Sequence, residues 1–96
     1  MYDSAYMEFD WDATNTEHVA RHLIRPADAE EAINDPHALS FRAVEVNGEA
    51  RFGVLGATAE GRVLAVIYTW RGPLCRVVTA FPATPRQQRF YTERSL

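Results

Sequence analysis

The 96 residues are 47% hydrophobic and carry a net charge of −3, a balance that excludes a disordered chain and supports one small core. No apolar run approaches the ~20 residues of a membrane span, and the acidic start Met1-Tyr2-Asp3-Ser4-Ala5-Tyr6 lacks the basic and apolar stretches of a signal peptide. The expectation is one cytoplasmic domain over residues 1–96, with residues 1–6 as a flexible N-terminal extension and the single cysteine, Cys75, as a small core residue.

The charge is unevenly spread. Residues 1–49 hold eleven acids and three arginines, net −8, while residues 50–96 hold two acids and seven arginines, net +5. A basic half is a footprint for phosphate or for an acidic partner. Equally, the two halves can pack together and neutralise each other. Lysine is absent, so every fixed cation can make a planar, bidentate contact with phosphate or carboxylate.

Met7 to Trp11 alternates apolar and acidic residues and reads as a short half-buried strand. Asp12 or Thr14 can cap the helix that follows, and Thr14 with Glu17 has capping-box spacing. In that helix, which runs to about His22, Asn15, His18, Val19 and His22 share one face. This face is either a polar site or a docked helix whose polar groups are satisfied. Pro26 opens a second short helix, with Ala29, Ala32 and Ile33 as its buried side; Asn34-Asp35-Pro36 ends it.

A meander of strands comes next. Phe41 to Val46 is the first, and Asn47-Gly48 is a type I′ hairpin signal. Glu49 to Gly56 returns, and Ala57 to Gly61 is a longer turn. Arg62 to Trp70 is nearly unbroken apolar and reads as a central strand. After Arg71-Gly72-Pro73, Leu74 to Phe81 is the last strand, with Val78 and Ala80 on the same side as Arg76. Thr84, Pro85 and Gln87 form a helix start with cap, first-turn proline and capping-box residue. Phe90 is its expected anchor, with Tyr91 as a second. The class is α+β: a short N-terminal strand, two helices, a four-stranded antiparallel meander and a C-terminal helix.

These residues resemble the BrnT-type toxins, small bacterial ribonucleases with a fold like the RelE/ParE toxins. The resemblance spans roughly Met7 to Tyr91. It rests on Phe9-x-Trp11-Asp12 followed by Asn15, His18 and Arg21-His22; on Pro26 through Asp35-Pro36; on Arg51 and Gly61-Arg62-Val63-Leu64-Ala65-Val66-Ile67-Tyr68-Thr69; and on Arg76-Val77-Val78-Thr79-Ala80, Ala83-Thr84 and Tyr91. Three positions depart from the family pattern. Leu23 replaces a glycine, Phe81 replaces an arginine after Thr79-Ala80, and Gln87 replaces a glutamate.

The resemblance implies RNA cleavage without a metal. That chemistry needs proton transfer to and from the 2′-hydroxyl and the leaving oxygen, and cations around the phosphorane. Imidazole suits the first task and guanidinium the second. The candidate catalytic residues are therefore His22, Arg76, Arg51 and Tyr68, with Arg62, Arg86, Arg89 and Tyr91 as candidate RNA contacts. Each has a plainer reading: an ion pair with a first-half acid for Arg76, a cross-strand pair for Arg51, a solvated strand end for Arg62 and a solvated face for Arg86 and Arg89. Tyr68 reads equally as a core tyrosine and Tyr91 as a helix anchor. His18 and His22 supply half of a zinc site, but no third ligand is evident, so no metal or cofactor is expected.

Two classes of function stand. One is a ribonuclease toxin, silenced by a cognate antitoxin of ribbon-helix-helix type. The other is a protein-binding module of the same fold that has lost catalysis and keeps its place in the antitoxin–operator complex. Expected partners are the antitoxin and RNA, with DNA reached only through the antitoxin and no membrane.

Overall fold

Among the described residues, four strands and three helices follow the order read from the sequence. The structure is a computed structural model that describes residues 7–95 and, of residues 42 and 43, the backbone. The expected extension at residues 1–6 lies outside the described residues. Strands β1 (Leu39–Val46), β2 (Glu49–Ala57), β3 (Val63–Arg71) and β4 (Leu74–Pro82) form an antiparallel meander in sequence order. Helices α1 (Ala13–Ala20) and α2 (Pro26–Ile33) precede the sheet, and α3 (Pro85–Arg94) follows it.

The strand expected over Met7–Trp11 is reduced to one rung. Phe9 bridges Cys75 in parallel, with the Cys75 N–H donating to the Glu8 carbonyl and the Asp10 N–H donating to the Cys75 carbonyl, both at 2.9 Å. Five chain segments thus contribute to the sheet, four of them in the meander. The N-terminal segment stops there because Asp12 turns the chain into α1. Its side chain accepts from the Thr14 and Asn15 N–H groups, and Asn15 Oδ1 accepts from the Asp12 N–H. The capping box is therefore Asp12 with Asn15, in place of the expected Thr14 with Glu17.

Both faces of the sheet are covered at one end, which explains the unbroken apolar run of β3. On one face α1 and α2 enclose Val19, Ile24, Ala29, Ala32, Val54, Leu64, Val66, Val77 and Ala80. On the other, Leu55, Ala65 and Ala83 meet Phe41, Val63, Phe81 and Tyr91. Gly56 permits the close approach of α2: a Cβ there would lie 1.9 Å from the Ala32 carbonyl oxygen. The hairpin at Asn47-Gly48 has φ of 52° and 79°, as a type I′ turn requires.

The anchor of α3 differs from expectation. Phe90 is exposed, with the Arg94 guanidinium 4.1 Å above its ring. Tyr91 is the residue that packs on the sheet, and its hydroxyl donates to Asp35 Oδ2. Asp35 also accepts from the Ala57 and His37 N–H groups. Burial raises the Asp35 pKa, but the bonds from Tyr91 and the two N–H groups outweigh it and hold the carboxyl below its ordinary range. Burial and the bond to Asp35 push the Tyr91 hydroxyl up to about 12.

Helix α1 ends in a strained turn. The Ile24 N–H reaches the Val19 carbonyl and the Leu23 N–H reaches the Ala20 carbonyl, the pattern of a Schellman close. Leu23 stands at the left-handed position with φ 61°, and its side chain is 83% exposed. A residue with a Cβ pays about 1 kcal/mol there, so the substitution Leu23→Gly raises stability by about 1 kcal/mol. A higher urea midpoint at unchanged m-value is the measurement. The Tyr91–Asp35 bond also sets an alkaline limit. Because the folded-state pKa of Tyr91 is raised from 10.0 to about 12, its contribution is intact below pH 10 and lost as pH rises toward 12. Stability measured across that interval falls in the wild type and loses this component in Tyr91→Phe.

Candidate functional site

Alternation along the strands decides which side chains meet. In β3, Leu64, Val66 and Tyr68 point toward α1 and α2, so Thr69 points to the other face. Thr69 pairs with Arg76, and Arg51 lies one step beyond the Phe52↔Tyr68 pair, across from Thr69. Arg51, Thr69 and Arg76 therefore form a row on the face that α3 covers only at its far end. The Thr69 hydroxyl donates to the Ala50 carbonyl at 2.8 Å, so this residue stitches the sheet and leaves the arginines to line the surface.

A bulge on β4 corrects the expected parity of this strand. Ile67 pairs with Thr79 and Tyr68 with Val77, leaving Val78 as the extra residue. Ala80 then turns into the core, fully buried, instead of sharing the side of Arg76. Val78 and Thr79 both line the open face.

Two adjoining hollows result. One, of about 180 Å³, is lined by Thr14, Asn15, His18, Glu49, Arg51, Arg71, Arg76 and Val78. The other, of about 330 Å³, is lined by His18, Arg21, His22, Arg51, Val78 and Thr79. Together they make a groove with arginines on its sheet side and two exposed histidines on its rim, His18 from α1 and His22 from the turn after it, since α1 ends at Ala20 and not near His22.

The arginines are held by carboxylates. Arg76 is only 13% exposed and lies 3.4 Å from Asp10 and 3.1 Å from Asp12. The hydrogen bond from Arg76, followed by that from the Asn15 N–H, holds the Asp12 carboxyl below its usual range, and the same pair raises the Arg76 pKa. The ion pair with first-half acids is thus real. Arg51 meets Glu49 on its own strand at 3.3 Å, where a cross-strand partner was expected; its backbone partner across the sheet is Val44. Arg71 reaches the other oxygen of Glu49 at 3.2 Å. Neither Arg71 nor Glu49 was singled out from sequence, because one sits beside a turn and the other is a single acid after Asn47-Gly48.

The opening polar face of α1 divides into roles. Asn15 is buried, and its amide donates to the Asp10 and Val77 carbonyls at 2.9 Å each, so it docks the helix. His18 Nδ1 lies 3.4 Å from the Val78 carbonyl, and His22 meets the edge of Phe81 at 6.0 Å between centroids. Phe81 thus packs beside His22 as an aromatic neighbour.

Other candidates lie elsewhere. Tyr68 is on the opposite face, between Phe52 and Trp70, and burial raises its hydroxyl pKa; the alternation of β3 corrects its expected place in the site. Arg62 donates to the Leu23 and His22 carbonyls at 3.0 and 3.5 Å, holding the end of α1. Arg86 and Arg89 are exposed on α3 and line two separate hollows away from the groove. Tyr91 is committed to Asp35. The Cys75 thiol is buried and pushed up to about 11 by that burial. Among the described residues no group of three or more His, Cys, Asp or Glu is placed to hold a metal, and no helix is long and apolar enough to cross a membrane.

A family model described as "Ribonuclease toxin, BrnT, of type II toxin-antitoxin system" matches residues 11–87. That span includes every residue lining the two hollows. No curated protein matches the chain.

The geometry separates two arginines that look alike in sequence. Arg76→Ala leaves Asp10 and Asp12 facing each other without a cation and lowers the melting temperature by ~5 °C. Arg51→Ala, at a half-exposed pair, shifts it by less than ~2 °C. Thermal unfolding by circular dichroism distinguishes them.

Proposed function

The chain belongs to the BrnT family of ribonuclease toxins of type II toxin–antitoxin systems, and we propose that it is itself a metal-independent endoribonuclease that inhibits translation by cutting RNA. Membership implies an antitoxin partner. The proposal extends to a RelE/ParE-like fold, a cytoplasmic setting, and a ribbon-helix-helix antitoxin through which alone the chain reaches DNA.

One observation carries the reading: the groove brings Arg51, Arg71 and Arg76 together with His18 and His22. Guanidinium groups converging on one hollow bind the scissile phosphate and stabilise the charge that grows on its oxygens. The imidazoles of His22 and His18, on the rim of the hollows, are the groups that would give the leaving 5′-oxygen its proton. Arg51 is the leading phosphate ligand, since it lines both hollows and its side chain is 30% exposed. Arg76 is the deeper cation, oriented by Asp10 and Asp12. Arg62 supports the site from behind by fixing the carbonyls at His22 and Leu23.

An acidic antitoxin segment and RNA would compete for the same arginines. Phe81 removes one cation from this surface, which favours a slower enzyme. The purified chain, in the presence of a chelator, cleaves RNA to ends bearing a 2′,3′-cyclic phosphate. Arg51→Ala lowers the rate ~100-fold while the melting temperature moves by less than ~2 °C. If the wild-type chain leaves RNA intact at stoichiometric excess, the ribonuclease reading fails and the protein-binding reading of the fold takes its place.

A further inference from the structure

We infer that Glu49 is the base of this site, the group that takes the proton from the attacking 2′-hydroxyl; the inference rests on the ribonuclease reading above. The reaction needs a proton acceptor as well as a donor. Among the described residues lining the two hollows, the groups able to exchange a proton are His18, His22 and Glu49, and Glu49 is the one carboxylate. Tyr68 faces away, and Asp10 and Asp12 are bound to Arg76, with Asp12 also capping α1.

Glu49 stands where a base must stand. It opens β2 after the tight hairpin turn, and its carboxylate lies between the two arginines nearest the hollow mouth, Oε1 toward Arg51 at 3.3 Å and Oε2 toward Arg71 at 3.2 Å. These distances exceed the ~2.7–2.9 Å of a tight charge-assisted bond. A carboxylate has about four lone-pair sites, so two single contacts leave each oxygen able to accept another proton donor. The side chain is 30% exposed, open enough to meet substrate.

The arrangement couples phosphate binding to release of the carboxylate. In the free protein, the Arg51 and Arg71 guanidinium groups occupy the Glu49 carboxylate. A phosphate entering the hollow draws Arg51 and Arg71 toward its own oxygens, and Glu49 loses those contacts. The 2′-hydroxyl oxygen is three bonds from the 3′-oxygen of the bound phosphate, close enough for a carboxylate at the edge of the same hollow to reach it. The step then balances: the 2′-oxygen bonds to phosphorus as its proton passes to Glu49, and the bond from phosphorus to the 5′-oxygen breaks as His18 gives that oxygen a proton. The products are a 2′,3′-cyclic phosphate and a 5′-hydroxyl, with no further reactant.

The test compares the wild type with Glu49→Gln and Glu49→Asp on a short RNA across pH, and measures binding with the same oligomer carrying 2′-deoxyribose. Glu49→Gln keeps an acceptor oxygen for the arginines, so binding stays within about twofold while kcat falls ~100-fold. Its rate also loses the acidic limb of the pH profile. Glu49→Asp keeps that limb at a reduced rate, and serves as the active-site probe if the glutamine variant does not fold. An unchanged pH profile in Glu49→Gln, or a loss confined to KM, overturns the assignment and makes Glu49 a holder of arginines. A wild type without cleavage overturns the ribonuclease reading itself, whereas an active wild type matched by Glu49→Gln overturns only the role of Glu49.

Discussion

The knot of Asp12, Asn15 and Arg76 is the constraint on which the rest depends. Asp12 caps α1 and at the same time pairs with Arg76 from β4, 64 residues later. Asn15 locks the same helix to the Asp10 and Val77 carbonyls. A helix of eight residues is too short to be stable by itself in water. These bonds, with Val19 buried beneath, fix it against the sheet edge. They also bury an arginine without leaving it unpaired, which an apolar strand could not otherwise tolerate.

The groove is a by-product of how the sheet is covered. Helices α1 and α2 fill one face, while α3 reaches only one end of the other, held there by Tyr91 on Asp35. The remaining half of that face needs no apolar side chains, so arginines can occupy it. The bulge at Val78 widens this surface by sending Ala80 inward while Val78 and Thr79 line the open side. Charge division is resolved in the same place: Asp10, Asp12 and Glu49 from the acidic half meet Arg51, Arg71 and Arg76 from the basic half. Mutual neutralisation is therefore the reading observed, and the same cations line the hollow.

Two family departures acquire physical meaning. Leu23 occupies a left-handed turn where glycine fits without strain, and Arg62 holds the carbonyls around it. Phe81 exchanges a cation for an aromatic wall against His22. The first costs stability; the second sets an aromatic ring against His22, which lines the wider hollow. Gln87 closes its capping box with Thr84 at 2.9 and 3.1 Å, so that third departure leaves the start of α3 unchanged.

Local chemistry alone determined the elements: proline and cap residues start α2 and α3, Asn47-Gly48 makes the hairpin, and the apolar run of β3 marks a strand covered at one end on both faces. Motif order was enough to identify the family. The surroundings of Arg76 were legible in part, because an arginine in an apolar strand must find a partner, and it pairs with two acids. That its partners lie in the acidic half was legible; that they are Asp10 and Asp12 was not. A bulge of one residue reverses strand parity, so Ala80 and Thr79 exchange faces with no local signal at Val78. Tyr68 and Thr69 are neighbours in the chain yet lie on opposite faces, and only burial by α1 and α2 decides which one meets Arg76. Glu49 looked like an ordinary hairpin acid. Tertiary packing alone brings it to Arg71, which is 22 residues away in sequence and joined by strand register.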